Sequence, residues 1–302
     1  MVTRAGNGHQ TGRGDLTDAQ WERLKPLLPP VSTMGRRPRD RRQVFNGIWW
    51  RARTGSPWRD VPERYGPWAT LYSVFRRWQI DGTWTRTLKE LQVRADSEGI
   101  LEWEISVDST VCRAHQHAAG GREKGACDPD SAAANGLATE PDDHALGRSR
   151  GGLTTKLHLA VDTSMHVLAV ILTAGQRADA PLFTAVLNSI RVPRIRAGRP
   201  RTRPAHVIAD RAYSSRANRS YLRRRQIPHT IPEKRDQAGH RLRRGMAGGR
   251  PPGFDRERYK RRHKIECRIG QLKQARGVAT RYDKLAVRYE ATIQLTLIRQ
   301  SL

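Results

Sequence analysis

The chain has 302 residues, with 56 Lys+Arg against 29 Asp+Glu, for a formal net charge of +27. Three cysteines are too few for a disulfide scaffold, and no CxxC pair suggests a zinc ribbon or redox motif. The longest aliphatic run, Val167–Leu172, is far short of the ~20 residues a membrane span needs.

The opening stretch, MVTRAGNGHQTGRGD, has no apolar segment of a signal peptide and reads as a disordered N-terminus over residues 1–14. A cytoplasmic, soluble protein of a reducing compartment is the expectation. Residues 15–95 read as helical. Thr17 and Gln20 have capping-box spacing, with Leu16 and Trp21 placed as the hydrophobic staple. The first helix carries Trp21, Leu24 and Leu28 on one face and stops at Pro29-Pro30. Asp40 and Gln43 repeat the capping signature ahead of Val44, Phe45, Ile48, Trp49 and Ala52. Leu71, Val74, Phe75 and Trp78 give a third helix, and Thr83 is placed to cap a fourth through Leu88 and Leu91. Short helices with outward arginines suit a helix-turn-helix reader of duplex DNA; a bundle that serves only dimerisation is the plainer alternative.

From residue 102 the period changes to that of strands. EWEISVDS alternates and ends on Asp108; LTTKLHLAVD and MHVLAVILT follow as a hairpin. Ala180–Ile190 has helical spacing, AHVIAD is a short buried strand ending on Asp210, a basic helix spans Ser215–Arg225, and a last strand covers His229–Pro232. Three antiparallel strands followed by α/β crossovers is the ribonuclease-H-like order, so residues 100–302 are expected to form one mixed-sheet domain. Within it, residues 118–152 and 236–253, rich in Gly with Ala and Asp or with Arg, read as flexible loops.

Charge is unevenly spread. Residues 1–100 carry a net +8, residues 101–200 a net 0, and residues 201–302 a net +19. A polyanion is therefore expected to contact the two ends of the chain while the middle supplies packing.

Three carboxylates stand out. Asp108 and Asp210 each close a predicted strand, where a side chain reaches the rim of a sheet. Glu266 lies in a strongly basic segment. On a continuous helix Tyr259, Arg262, Glu266 and Lys273 share one face, beside an apolar stripe of Ile265, Ile269 and Leu272. An exposed i,i+4 ion pair accounts for Arg262 and Glu266 alone, but not for the Tyr and Lys aligned with them. Cys112, His115, His117 and Cys127 fit no common zinc spacing, and no GxxxxGK[ST] phosphate loop implies a nucleotide cofactor.

The spacing Tyr259, Arg262, Glu266, Lys273 resembles the signature around the catalytic glutamate of bacterial insertion-sequence transposases. SVDST, LGRSRGGLTTKLHLAVD, VIADRAYSS and ARGVATRYDK resemble the IS-five group of DDE transposases, and LTDAQWERLKPLLPP through GIWWRARTGSPWRDVP resembles its N-terminal domain. The resemblance implies a transposase that binds terminal inverted repeats and performs metal-dependent DNA cleavage and strand transfer. It implies Asp108, Asp210 and Glu266 as catalytic residues and ligands of two Mg²⁺, with Mn²⁺ able to substitute. It also implies Tyr259, Arg262 and Lys273 on DNA, and a homodimer on repeat and target DNA. The alternative is a catalytically decayed copy that binds element ends as a repressor.

Overall fold

The computed structural model describes residues 12–30, 39–122 and 143–302. Most of the expected disordered N-terminus, the centre of the 118–152 loop and Cys127 lie outside these residues.

Helix α1 (Asp18–Leu24) starts at the capping box that the sequence predicts: Thr17 Oγ1 accepts from the Gln20 amide, and Gln20 reaches back to the Thr17 amide. Helix α2 (Arg41–Thr54) starts at Asp40, whose carboxylate accepts from the Arg42 amide, and ends at Gly55, where φ of 71° suits glycine. Its second capping box does not close, because the Gln43 amide donates instead to the Arg64 carbonyl. Helix α3 (Trp68–Ile80) follows Pro67, and α4 (Thr83–Ser97) follows Gly82. Thr83 is the first residue of α4 rather than its cap; its amide donates to the Asp81 carboxylate at 2.9 Å. Trp84 sits at the centre of an aromatic cluster with Phe45, Phe75 and Trp78, fully buried, its Nε1 donating to the Phe75 carbonyl.

The described strands form one mixed seven-stranded sheet. Strands β1 (Glu104–Ala114), β3 (Gly152–Asp162) and β4 (Val167–Ala174) are antiparallel, and a short β2 (Gly147–Ser149) pairs with the start of β3. After helix α5 (Phe183–Ser189), β5 (His206–Ala209) runs parallel to β1. After α6 (Arg216–Arg224), β6 (His229–Thr230) runs parallel to β5. The strand order of the sequence reading therefore holds. The 236–253 loop does not: α7 (Arg235–Arg243) occupies much of it. Arg241 gripping Glu233 with two hydrogen bonds, and Gln237 donating to the Ser214 carbonyl, secure this helix. Likewise β2 structures residues expected in the earlier loop.

Beyond α8 (Arg256–Lys260), α9 (His263–Lys273) and the one-turn α10 (Arg276–Ala279), a two-residue strand β7 (Thr280–Arg281) pairs parallel with the far end of β1. Arg281 fixes it there. Its guanidinium is fully buried and donates to Thr155 Oγ1 and to the carbonyls of His144, Asp283 and Lys284.

Helix α11 (Ala286–Ser301) packs on α2, α3 and α4 as well as on β4. One apolar cluster accordingly runs from Leu24, Phe45 and Trp84 through Ile293 and Leu297 to Ile265 and Leu272 of α9 and Leu157 and Leu159 of β3. A second cluster, with Ile105, Val107, Phe183, Val207 and Leu222, fills the other face of the sheet. No helix among the described residues is long and apolar enough to cross a membrane.

Candidate active site

β1 has a split edge. β5 pairs with it only as far as Val107, opposite Ala209, and β7 resumes the pairing at Arg113. Residues 108–112 thus form a notch in the sheet. Asp108 opens this notch, and Asp210 follows Ala209 immediately, so the parallel register brings the two aspartates side by side. Asp108 was expected at the end of a strand. It lies inside an eleven-residue strand, at the end of the parallel pairing rather than of the strand itself. The Asp210 carboxylate caps the turn Arg211–Tyr213, accepting from the Ala212 amide at 2.9 Å.

The third carboxylate comes down from α9. Arg262 Nη2 contacts Asp108 Oδ2 at 2.5 Å, and Arg262 Nη1 contacts Glu266 Oε1 at 2.5 Å, so one guanidinium spans both acids. The single helix assumed for Tyr259–Lys273 is broken: α8 ends at Lys260, and the amides of Arg262, Lys264 and Ile265 bond three residues back rather than four. This tight 3₁₀ turn winds faster than an α-helix. It leaves Tyr259 on one piece and Glu266 on the other, while Arg262 at the joint still faces the carboxylates. Burial raises the phenol pKa of Tyr259; Arg262 opposes the shift, and Asp210, Glu266 and Asp108 add to it. Lys273 stands apart from this group. Its Nζ donates at 2.9 Å to the Val111 carbonyl, in the uncovered part of β1.

Burial raises the Asp108 carboxyl above its ordinary range. Arg262 and the Ser109 amide oppose the shift; Asp210 and Glu266 add to it. Asp108, with two further acids acting on it and one guanidinium shared between it and Glu266, sits in a site short of positive charge. Hard carboxylate oxygens are also the donors a Mg²⁺-type cation takes, so in kind they fit such a cation. As they stand, no group of three His, Cys, Asp or Glu among the described residues is close enough to hold a metal. For a cation to sit between Asp108 and Glu266, Arg262 has to release one of them.

Sequence reasoning missed the support behind β1. Side chains alternate along a strand, so Ser109 points to the opposite face from Asp108. There Ser109 Oγ donates to Asp179 Oδ1 at 2.7 Å, and Lys156 Nζ donates to the same oxygen at 3.0 Å. His158, fully buried beside them, has its pKa lowered to about 4, mainly by burial. The readable signal was His158 and Lys156 alternating with the leucines of LTTKLHLAVD, polar residues on a face that should have been apolar. The zinc reading gains nothing: Cys112 is buried, with the phenol of Tyr289 as its neighbour.

Comparison with known proteins places these residues in context. Residues 101–299 match the family described as "Transposase DDE domain", and residues 16–88 match the one described as "Putative transposase of IS4/5 family". "Uncharacterized protein y4sN" of Sinorhizobium fredii is 41% identical over 108 residues, which is 35% of this chain and 82% of that protein. The "Putative transposase for insertion sequence element IS6501" of Brucella ovis is 27% identical over 143 residues, 47% of this chain and 94% of the relative. A "Putative transposase for insertion sequence element IS402" of Burkholderia cepacia is 35% identical over 95 residues, 32% of this chain and 44% of the relative. No solved structure matches.

Proposed function

This chain belongs to the DDE transposases of insertion sequences, and from that premise we propose that it binds the terminal inverted repeats of its element, cuts at their ends and joins them to target DNA. The observation that carries the mechanism is the notch. Two aspartates in parallel register and a glutamate tied to one of them by Arg262 converge where β1 loses its neighbour. We read the sheet as a ribonuclease-H-like fold and residues 15–95 as the repeat-reading unit.

A phosphodiester is anionic and has a poor leaving group. Divalent cations, in our reading two Mg²⁺ replaceable by Mn²⁺ and held by Asp108, Asp210 and Glu266, supply a lowered pKa for water or hydroxyl and charge neutralisation at phosphorus. The protein's own groups hold the substrate. Arg262, flanked by Asp108 and Glu266, and Lys273, farther along the notch at Val111, can take phosphate oxygens only along the line those acids leave open. That geometry orients the scissile bond. The Tyr259 phenol, kept protonated chiefly by burial, is a hydrogen-bond donor beside the same spot. In the first reaction water adds to phosphorus and the DNA 3′-oxygen leaves as a hydroxyl. In the second, that 3′-hydroxyl attacks a target phosphodiester and displaces another 3′-oxygen, so bonds made and broken balance and no nucleotide is consumed. Such a protein works on chromosomal DNA in the cytoplasm, as a homodimer that pairs two ends.

The test is cleavage of a labelled repeat-end duplex in Mg²⁺. Asp108→Asn, Asp210→Asn and Glu266→Gln are each expected to bind the duplex and lose cleavage by at least a hundredfold. Glu257→Gln, an exposed partner of Lys260 on α8, is expected to cut like wild type. Wild-type cutting by Glu266→Gln removes it from the site. An inert wild type that still selects the repeats shifts the reading to a repressor.

A further inference from the structure

Away from the notch, at the β6 edge of the sheet, lies an open groove of about 560 Å³. Its walls are the exposed side of α6, the loop leading into β6 and residues 250–253. Arg219, Arg223, His229 and Arg250 line it, and no carboxylate does. Arg219 is locked in place by its bonds to Ser214 Oγ at 3.0 Å and the Ile231 carbonyl at 2.9 Å. Arg223 makes one weak bond, to Ser220 Oγ, and neither it nor Arg250 is ion-paired among the described residues. Glu233, the acid that acts on Arg219, is already held bidentately by Arg241. The groove's cations also act on each other: Arg219 and Arg223 both push the His229 pKa down, behind the larger effect of burial. Such crowding without counter-ions costs electrostatic energy that an anion would relieve.

Position identifies the anion. Across the sheet the order runs from β4 through β3, β1 and β5 to β6. The helical head packs at the β4 end, where α4 and α11 border that strand. The carboxylates stand in the middle, between β1 and β5, and the groove is at the opposite edge. Two strand spacings of about 4.8 Å separate β1 from β6, a span of roughly three base pairs of duplex.

Resting on the transposition reading above, we propose that this groove seats backbone phosphates of the DNA on the far side of the scissile phosphate from the head. That DNA is the donor flank before cleavage and the target duplex during strand transfer. The sheet then holds DNA at both edges, with the reacting bond between.

The experiment pairs the double variant Arg223→Gln/Arg250→Gln with a control that removes the same charge from the exposed 193–199 loop, Arg194→Gln/Arg196→Gln. Each is assayed on a repeat-end duplex with a 20-base-pair flank, on one with a 2-base-pair flank, and as pre-cut ends joining a plasmid target. The groove variant is expected to lose about tenfold in cleavage of the long-flank duplex, and its log–log salt slope for binding should flatten by about 1.8 for two lost phosphate contacts. Cleavage of the short-flank duplex should stay at wild-type level, and the control should match wild type throughout. Loss of joining together with long-flank cleavage assigns both DNAs to the groove. Loss in only one arm assigns that DNA alone. Equal loss on long and short flanks, or no loss in any arm, overturns the proposal. A wild type that cuts neither duplex means the catalytic reading has failed. The groove is then judged by binding: an undiminished preference of the double variant for the long flank overturns it.

Discussion

Arg51 in α2 and Asp283 beyond β7 are 232 residues apart in the chain, yet they form an ion pair at 3.0 Å with both side chains less than a tenth exposed. Asp283 also accepts from Thr292 Oγ1 of α11 at 3.0 Å. The contact joins the head to the catalytic sheet at the point where α11 enters the head's core. A buried pair is costly to break on one side, because the remaining charge stays desolvated. Arg51→Met is therefore expected to destabilise the whole chain by about 3 kcal/mol, read as a lower urea midpoint with one transition. The double variant Arg51→Met/Asp283→Leu should recover part of the loss. Two separate transitions would show that the head unfolds independently of the sheet.

Asp108 should prove a residue whose loss stabilises the fold. Its folded pKa is raised, so the folded state holds the proton more readily than the unfolded chain. Stability is fullest below the ordinary carboxyl range and falls as pH rises through the raised value. Asp108→Asn carries no such burden. At pH 7 it is expected to melt higher than wild type, with the gap closing near pH 3.8, although cleavage is lost. A variant that melts lower at pH 7 would mean the Arg262 contact outweighs the burial.

The histidines act in the opposite sense. His158 and His206 both have pKa values lowered to about 4, mainly by burial. The unfolded chain takes up protons near pH 6.5 that the folded one refuses. Their stabilising contribution is thus complete above pH 6.5 and drains away as pH falls toward 4, by about 3 kcal/mol each at full extent. His158→Asn should flatten the decline of melting temperature between pH 6.5 and 4. A slope equal to that of wild type would show that His158 titrates normally.

Gly277 in α10 lies against α2 so closely that a Cβ would stand 2.8 Å from the Ala52 carbonyl oxygen. A backbone atom cannot rotate aside as a side chain can. Gly277→Ala should cost about 1–3 kcal/mol by parting α2 from α10, measured by urea denaturation. Gly239→Ala, inside α7 with nothing near the added carbon, is the contrasting case and should stabilise by about 0.5–1 kcal/mol.

The repeating elements were legible in the sequence because they follow short-range rules. The Thr17–Gln20 box, the alternation of LTTKLHLAVD and the aspartate closing VIAD all reported correctly on local structure. What stayed hidden depends on partners far along the chain. The notch exists because β7, only two residues long, pairs with β1 from a distance, and no window of sequence around Thr280 shows a strand period. α7 reads as a loop in sequence because its anchors, Glu233 and Ser214, lie outside it. The break at Arg261–Arg262 leaves the polar pattern unchanged, since a few tight hydrogen bonds shift faces only slightly. Asp179 was missed because its partner Ser109 lies across two strands, and a single aspartate after a strand usually marks only a turn.

The packing of α11 against the head also sets an order of events on the ribosome. The head helices are made early, but the helix that closes their core follows α4 by roughly 190 residues of chain, on the order of 10–40 s of synthesis at about 5–20 residues per second. Until then the apolar faces of α2, α3 and α4 lack their last cover. A nascent or prematurely terminated chain thus presents an unfinished head, the kind of surface chaperones and proteases recognise. Maturation of the head is timed by completion of the domain that carries the sheet.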